Sequence, residues 1–239
     1  MACMRSIFDR FTRRAVATAL MLCAVTAGPL TADEADRWLF QVYLDDREIG
    51  FHEYAVTERD GRRVVETTAR FDVTFLFFTA YRYDHQNRET WSGNCLQNLE
   101  SVTDDNGDEY RVSGEARADG FALNVNRNAA HIGSDCVRTF AYWNPAILDA
   151  QRLLNSQTGE LADVTIRAEG TETLAIGPHN VPAERYTIAT EDGPIHLWYA
   201  PGSRHWLALE AETDGGRTLR YVPLQLPWNA VTQTRLAMD

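Results

Sequence analysis

The chain of 239 residues contains no lysine: all 23 of its basic residues are arginines. Chemistry that needs a lysine amine is thereby excluded, both Schiff-base catalysis and a phosphate-binding loop ending in G-K-[ST]. Several other signatures are missing as well. No G-x-S-x-G elbow, G-x-G-x-x-G turn, H-E-x-x-H pair or C-x-x-C spacing occurs, so no serine hydrolase, dinucleotide-binding or zinc motif can be read. Basic residues are outnumbered by 34 acids, for a formal net charge of -11. That balance excludes the basic face that nucleic acid or an anionic membrane would require. Long apolar runs are also lacking. The best is Ala15 to Val25, well short of the roughly 20 residues of a membrane span.

That run sits where an export signal would be. Arg5, Arg10, Arg13 and Arg14 precede it, and small residues follow, the pattern of a cleaved signal peptide. Residues 1–27 form the predicted signal, with cleavage after Ala27 or, alternatively, after Ala32. Cys23 follows Leu22, which is too large for lipoprotein processing. Thr12-Arg13-Arg14 is only a faint twin-arginine pattern, being followed by Ala-Val-Ala. The expectation is a periplasmic protein exported unfolded, with no stable transmembrane segment after processing. Removing residues 1–32 takes away Asp9 and the four arginines, leaving 33 acids against 19 bases. Such an acidic, lysine-free composition reads as genomic bias or a salty habitat rather than as a functional device.

Two cysteines remain, Cys95 and Cys136. In an oxidising compartment an even pair is most simply a disulfide, and closing a loop of about 40 residues stabilises by roughly 4 kcal/mol on the chain-entropy model. The alternative is a reactive thiol at Cys136 near His131.

Turn signals recur along the chain at Asp45-Asp46, Asp60-Gly61, Ser92-Gly93-Asn94, Asn106-Gly107, Asp119-Gly120, Pro201-Gly202 and Asp214-Gly215-Gly216. Between them lie stretches with a two-residue alternation, the pattern of an antiparallel meander. The fold class expected is all-β and mainly antiparallel, a closed or half-open β-barrel of about twelve strands. It occupies one domain at 33–226, with a peripheral tail at 227–239. The rhythm breaks from Asn128 to Trp143. Asn144-Pro145 then opens AILDAQRLLNSQTGE, which predicts one short covering helix at about 145–155.

The most informative stretch is Phe71 to Trp91. Its odd positions run Phe71, Val73, Phe75, Phe77, Thr79, Tyr81, Tyr83, His85, Asn87, Glu89, Trp91, a face grading from apolar to polar. It reads as two long antiparallel strands or one bent strand, turned into a core or barrel interior. Phe71, Phe75, Phe77, Tyr81 and Tyr83 are candidate lining residues of a binding cavity. His85 and Glu89 would stand at its polar mouth, and Trp143 and Leu148 in the lid. Elsewhere, His196 and His205 flank a hairpin without a zinc spacing. Asp104 to Glu109 has its glycine in the wrong place for a calcium loop. No metal, cofactor or catalytic residue is expected, although His85 would be the first residue to test in an enzyme.

The segments VYLDDREIGFHEYAV, FDVTFLFFTAYRYDHQNRETWSGNCL, YWNPAILDAQRLLNSQTGEL and IHLWYAPGSRHWLALEAE together resemble an uncharacterised family of exported bacterial β proteins classed as a domain of unknown function. In layout the chain also resembles periplasmic lipoprotein carriers, in which a curved sheet wraps an apolar cavity. The resemblance implies binding or carriage of an apolar or lipid-like molecule in the cell envelope. It supplies no active-site residue. The competing expectation is an envelope interaction module with a filled core and a protein partner.

Overall fold

The computed structural model describes residues 35–75, 78–213 and 215–227, without the side chains of residues 75, 78 and 79. The expected signal peptide, the tail beyond residue 227, Phe77 and the side chain of Phe75 lie outside the described residues.

Fifteen strands follow in chain order: β1 (Asp36–Leu44), β2 (Arg47–Arg59), β3 (Arg62–Phe75), β4 (Phe78–Ser92), β5 (Cys95–Asp105), β6 (Asp108–Arg117), β7 (Gly120–Val125), β8 (Asn128–Ile132), β9 (Arg152–Leu154), β10 (Leu161–Asp163), β11 (Thr165–Ile176), β12 (His179–Thr190), β13 (Gly193–Tyr199), β14 (Trp206–Glu212) and β15 (Thr218–Gln225). Their connections are short because the turn residues accept a left-handed backbone. Asp45, Asp60 and Asn106 have φ near 54°, a conformation that Asp and Asn tolerate better than most side chains. Among the described residues no helix is long and apolar enough to cross a membrane.

Thirteen strands form one antiparallel sheet in the order β11-β12-β13-β14-β15-β1-β2-β3-β4-β5-β6-β7-β8. Every neighbour is also a sequence neighbour except at β15 and β1, where Leu39 pairs with Gln225 and Leu44 with Leu219. The strand order is open, with β11 and β8 at its two ends. The all-β, antiparallel expectation therefore holds, whereas the closed-barrel alternative finds no ladder joining β8 to β11 among the described residues.

The segment between these edges, residues 133–164, differs from expectation. Asn144 caps a turn by accepting from the Ala146 N–H at 3.2 Å, and Pro145 starts it as foreseen, but the helix is a single 3-10 turn, Pro145–Asp149. Arg152–Leu154 is instead β9, paired with β10. Leu154 donates its N–H to Arg138 and accepts from Phe140. A helix would forfeit those bonds and the burial of both Leu153 and Leu154. Asn126 and Arg127, both with positive φ, make a further hairpin turn. The chain expected to be irregular from Asn128 therefore begins with β8, and the strands number more than twelve.

This segment lies against the sheet's inner face. Cys136 is joined to Cys95 by a disulfide, with Cα atoms 4.8 Å apart, and the Leu96 N–H donates to Val137 at 2.9 Å. Val137, Ala141, Trp143, Ile147, Leu153 and Leu154 are all buried in the main core. The two indoles Trp91 and Trp143 meet edge to face, centroids 5.6 Å apart, while the Tyr199 hydroxyl donates to the Tyr142 carbonyl at 2.9 Å. One segment thus bridges strands from the two halves of the sheet. A smaller cluster of Ala183, Trp198, Ala200, Leu207 and Ala208 packs on the opposite face of β12–β14, as strand alternation requires.

Candidate functional site

The register of β1 to β5 arranges their inward side chains in rungs. One rung runs Phe40, His52, Ala69, His85, Thr103, and the next Trp38, Tyr54, Thr67, Asn87, Ser101. Beyond the histidine rung on one side lie Phe71 and Tyr83, opposite one another, and beyond the Trp38–Ser101 rung on the other lie Val65 and Glu89. Phe71, Tyr83, His85 and Glu89, singled out from the sequence, are thus all buried on one face. Tyr81 is half-buried at its end. The even positions of β4 face out, where Arg82, Asp84 and Arg88 pair with Asp72, Arg70 and Glu66. Such exposed pairs contribute about 1 kcal/mol or less each.

The inner face is aromatic with polar points. Phe71 and Tyr83 stack at 5.1 Å between centroids, Tyr83 lies 6.2 Å from His85, and His52 stacks on Tyr54 at 4.4 Å. His52 Nδ1 and the Tyr221 hydroxyl share a hydrogen bond of 3.0 Å; His85 Nδ1 and the Thr103 hydroxyl share one of 2.9 Å. Glu89 is fully engaged: one carboxylate oxygen accepts from the Asn87 amide at 3.0 Å, the other from the Trp91 indole at 2.9 Å. On these rungs three other atoms are buried without a hydrogen-bond partner, His52 Nε2, the Tyr83 hydroxyl and Asn87 Oδ1; Thr139 Oγ1, Asn144 Nδ2, Arg185 Nε and His205 Nδ1 are buried and unpartnered elsewhere. An unpaired buried polar group costs about 1–3 kcal/mol, so three on neighbouring rungs are a local cost to the fold.

Burial also sets the charge of this face. It pushes His52 well below the ordinary imidazole range, helped by repulsion from His85, and lowers His85 to about 4 against a small opposing pull from Asp84. Both rings are therefore neutral at pH 7. Burial raises Tyr54, Tyr83, Tyr142 and Tyr221, which stay protonated. It also raises Glu89, although the hydrogen bonds from Asn87 and Trp91 hold that carboxyl down in part. Among the described residues no group of three or more His, Cys, Asp or Glu is placed to hold a metal ion.

The residues assigned to a lid belong to the 133–164 segment. Trp143 is 5% exposed, inside the core, with the Arg63 guanidinium 4.8 Å from its ring centroid, and Leu148, five residues on, is half-buried. The sequence reading missed His52, Tyr54 and Tyr221. Only the pairing of three strands brings His52 next to Ala69 and His85, and the signal within β2 is no more than an alternation in which His52, Tyr54 and Val56 share a face.

The fold has a solved counterpart. The structure described as a beta-barrel-like protein of domain of unknown function DUF1849 from Brucella abortus superposes with a TM-score of 0.60, at 11% sequence identity, covering 80% of this chain and 96% of that one. At that identity the likeness shows the fold alone. No curated protein sequence matches the chain. The model of the family described as domain of unknown function DUF6134 matches residues 40–224, nearly the whole of the sheet, and the chain belongs to that family.

Proposed function

We propose that this is a periplasmic protein, exported by its signal peptide, that binds or carries a molecule with an apolar body against the inner face of β2–β5, without catalysis. One observation supports the reading above the others: His52 Nε2, the Tyr83 hydroxyl and Asn87 Oδ1 are buried and unpartnered among stacked aromatic rings. Binding sites for small molecules combine mostly apolar walls with a few such anchors. Phe71, Tyr83 and His85 are the expected contacts, joined by His52. Tyr81, half-buried at the end of the same face, is a further expected contact. Catalysis through His85 is a weaker reading, because the ring is neutral and its Nδ1 is held by Thr103.

A second reading is carried by the 133–164 segment, whose core side chains occupy the inner face. On that reading the protein is an envelope interaction module. Its partner would add a strand at β11, a 12-residue edge with most of its residues exposed. Native mass spectrometry of the protein from a periplasmic extract, followed by solvent extraction, separates the two. A stoichiometric apolar molecule supports the binding reading. A clean mass of the polypeptide alone in several mild preparations rejects it in favour of the second.

A further inference from the structure

The inner face carries a statement about the charge of what it holds, and this inference rests on the binding reading above. Histidine, threonine, asparagine, serine and one glutamate make up the buried polar residues, and no arginine is among them. Of the arginines of β3 and β4, Arg70, Arg82 and Arg88 point outward into pairs with Asp84, Asp72 and Glu66, whereas Arg63, opposite Trp91, turns its guanidinium over the Trp143 ring at the far end of the face, six residues from Ala69. A carboxylate or phosphate held among Phe71, Tyr83, His85 and Asn87, away from Arg63, would meet no cation, would lie near Glu89, and would bear the full cost of a buried unpaired charge. An ammonium group would find its one counter-charge, Glu89, already accepting from Asn87 and Trp91 with both oxygens.

The three unpartnered atoms specify the head group further. Asn87 Oδ1 only accepts, the Tyr83 hydroxyl both donates and accepts, and a neutral imidazole nitrogen does one or the other. A hydroxyl satisfies all three kinds, whereas a ketone or ester oxygen leaves Asn87 Oδ1 unpaired. Tyr83 and Asn87 are four residues apart on one strand, so their Cα atoms are separated by about 13 Å. We infer that the inner face of β2–β5 takes an uncharged, largely apolar molecule that presents hydroxyl groups, and selects against fatty acids, phospholipid head groups and amines.

The test compares three probes of one chain length, decan-1-ol, decanoate and decylammonium, by calorimetric titration into the mature protein at pH 7.5. Decan-1-ol is expected to bind at least ten-fold tighter than either ion. In Tyr83→Phe, which removes only a hydroxyl that has no partner, its affinity is expected to fall three- to ten-fold with the melting temperature unchanged. Equal or tighter binding of decanoate or decylammonium overturns the inference while leaving the binding reading in place. An unchanged alcohol affinity in Tyr83→Phe also overturns it. Binding of none of the three probes, together with a polypeptide-only native mass, overturns both and leaves ordered water as the occupant.

Discussion

His52 and His85 stand on either side of Ala69, each directly paired with it across the backbone ladder. Two strand spacings separate them, about 10 Å, and the methyl group between them is completely buried. Each ring has its Nδ1 tied to a hydroxyl on the side away from Ala69, His52 to Tyr221 and His85 to Thr103. Ala69 is the smallest side chain of the rung and lies in the main core. Ala69→Phe is expected to cost about 1–3 kcal/mol through overpacking and to remove any co-purifying molecule. Native mass spectrometry together with thermal unfolding checks this, and a folded variant that retains its full complement of bound molecule would refute the placement.

The same histidines set an acid limit on stability. An unfolded histidine takes up a proton near pH 6.5, whereas His85 in the fold does so only at about 4. Between those values the unfolded state binds more protons, and stability falls as the pH falls, by about 3 kcal/mol for His85 at the end of the window. His52 acts in the same direction. Glu89 opposes them: with its carboxyl raised above 4.5, its stabilising contribution grows as the pH falls toward that value. Urea midpoints measured from pH 7 to 4 are expected to decline less steeply in His85→Gln than in the parent protein. Parallel curves would show that His85 does not carry the effect.

The disulfide fastens the 133–164 segment to β5 at the point where Leu96 meets Val137. Replacing both cysteines by alanine is expected to lower stability by about 2–4 kcal/mol and to accelerate amide hydrogen exchange chiefly between Val137 and Leu154. Uniform exchange rates in the two proteins would mean that core burial alone holds the segment.

Gly50 is a site of close backbone approach. Its φ is 149°, and a Cβ placed there would stand 1.9 Å from the Arg70 carbonyl oxygen. Gly170, at φ 114° in the irregular part of β11, has open space around the same position. Gly50→Ala is therefore expected to cost more than about 3 kcal/mol, since β2 and β3 must separate, and Gly170→Ala about 1–2 kcal/mol from backbone strain alone. Equal losses in denaturant titration would remove the steric explanation.

Local chemistry made much of the sheet legible. Asp45, Asp60 and Asn106, with Gly61 and Gly107 after the last two, announce turns because the left-handed backbone they adopt is a property of single residues. The alternation in β4 likewise foretold which side of Tyr83, His85 and Glu89 would be buried. The helix after Asn144 was misjudged because its cap and Pro145 are local signals, whereas the partners that draw Leu153 and Leu154 into a strand lie at Arg138 and Phe140. His52 escaped notice for a related reason. Its meaning depends on a register shared by three strands, which no window of one strand contains.

The pairing of β1 with β15 has a kinetic consequence. All other ladders of the large sheet join strands that follow one another in the chain, so each can form as a local hairpin at small loop-closure cost. The seam joins Leu44 to Leu219, latched by the Arg217 side chain on Asp45 at 2.8 Å, and it must wait until the whole intervening chain is available. Two half-sheets would then form early and independently, and their docking along a single non-local ladder would set the folding rate.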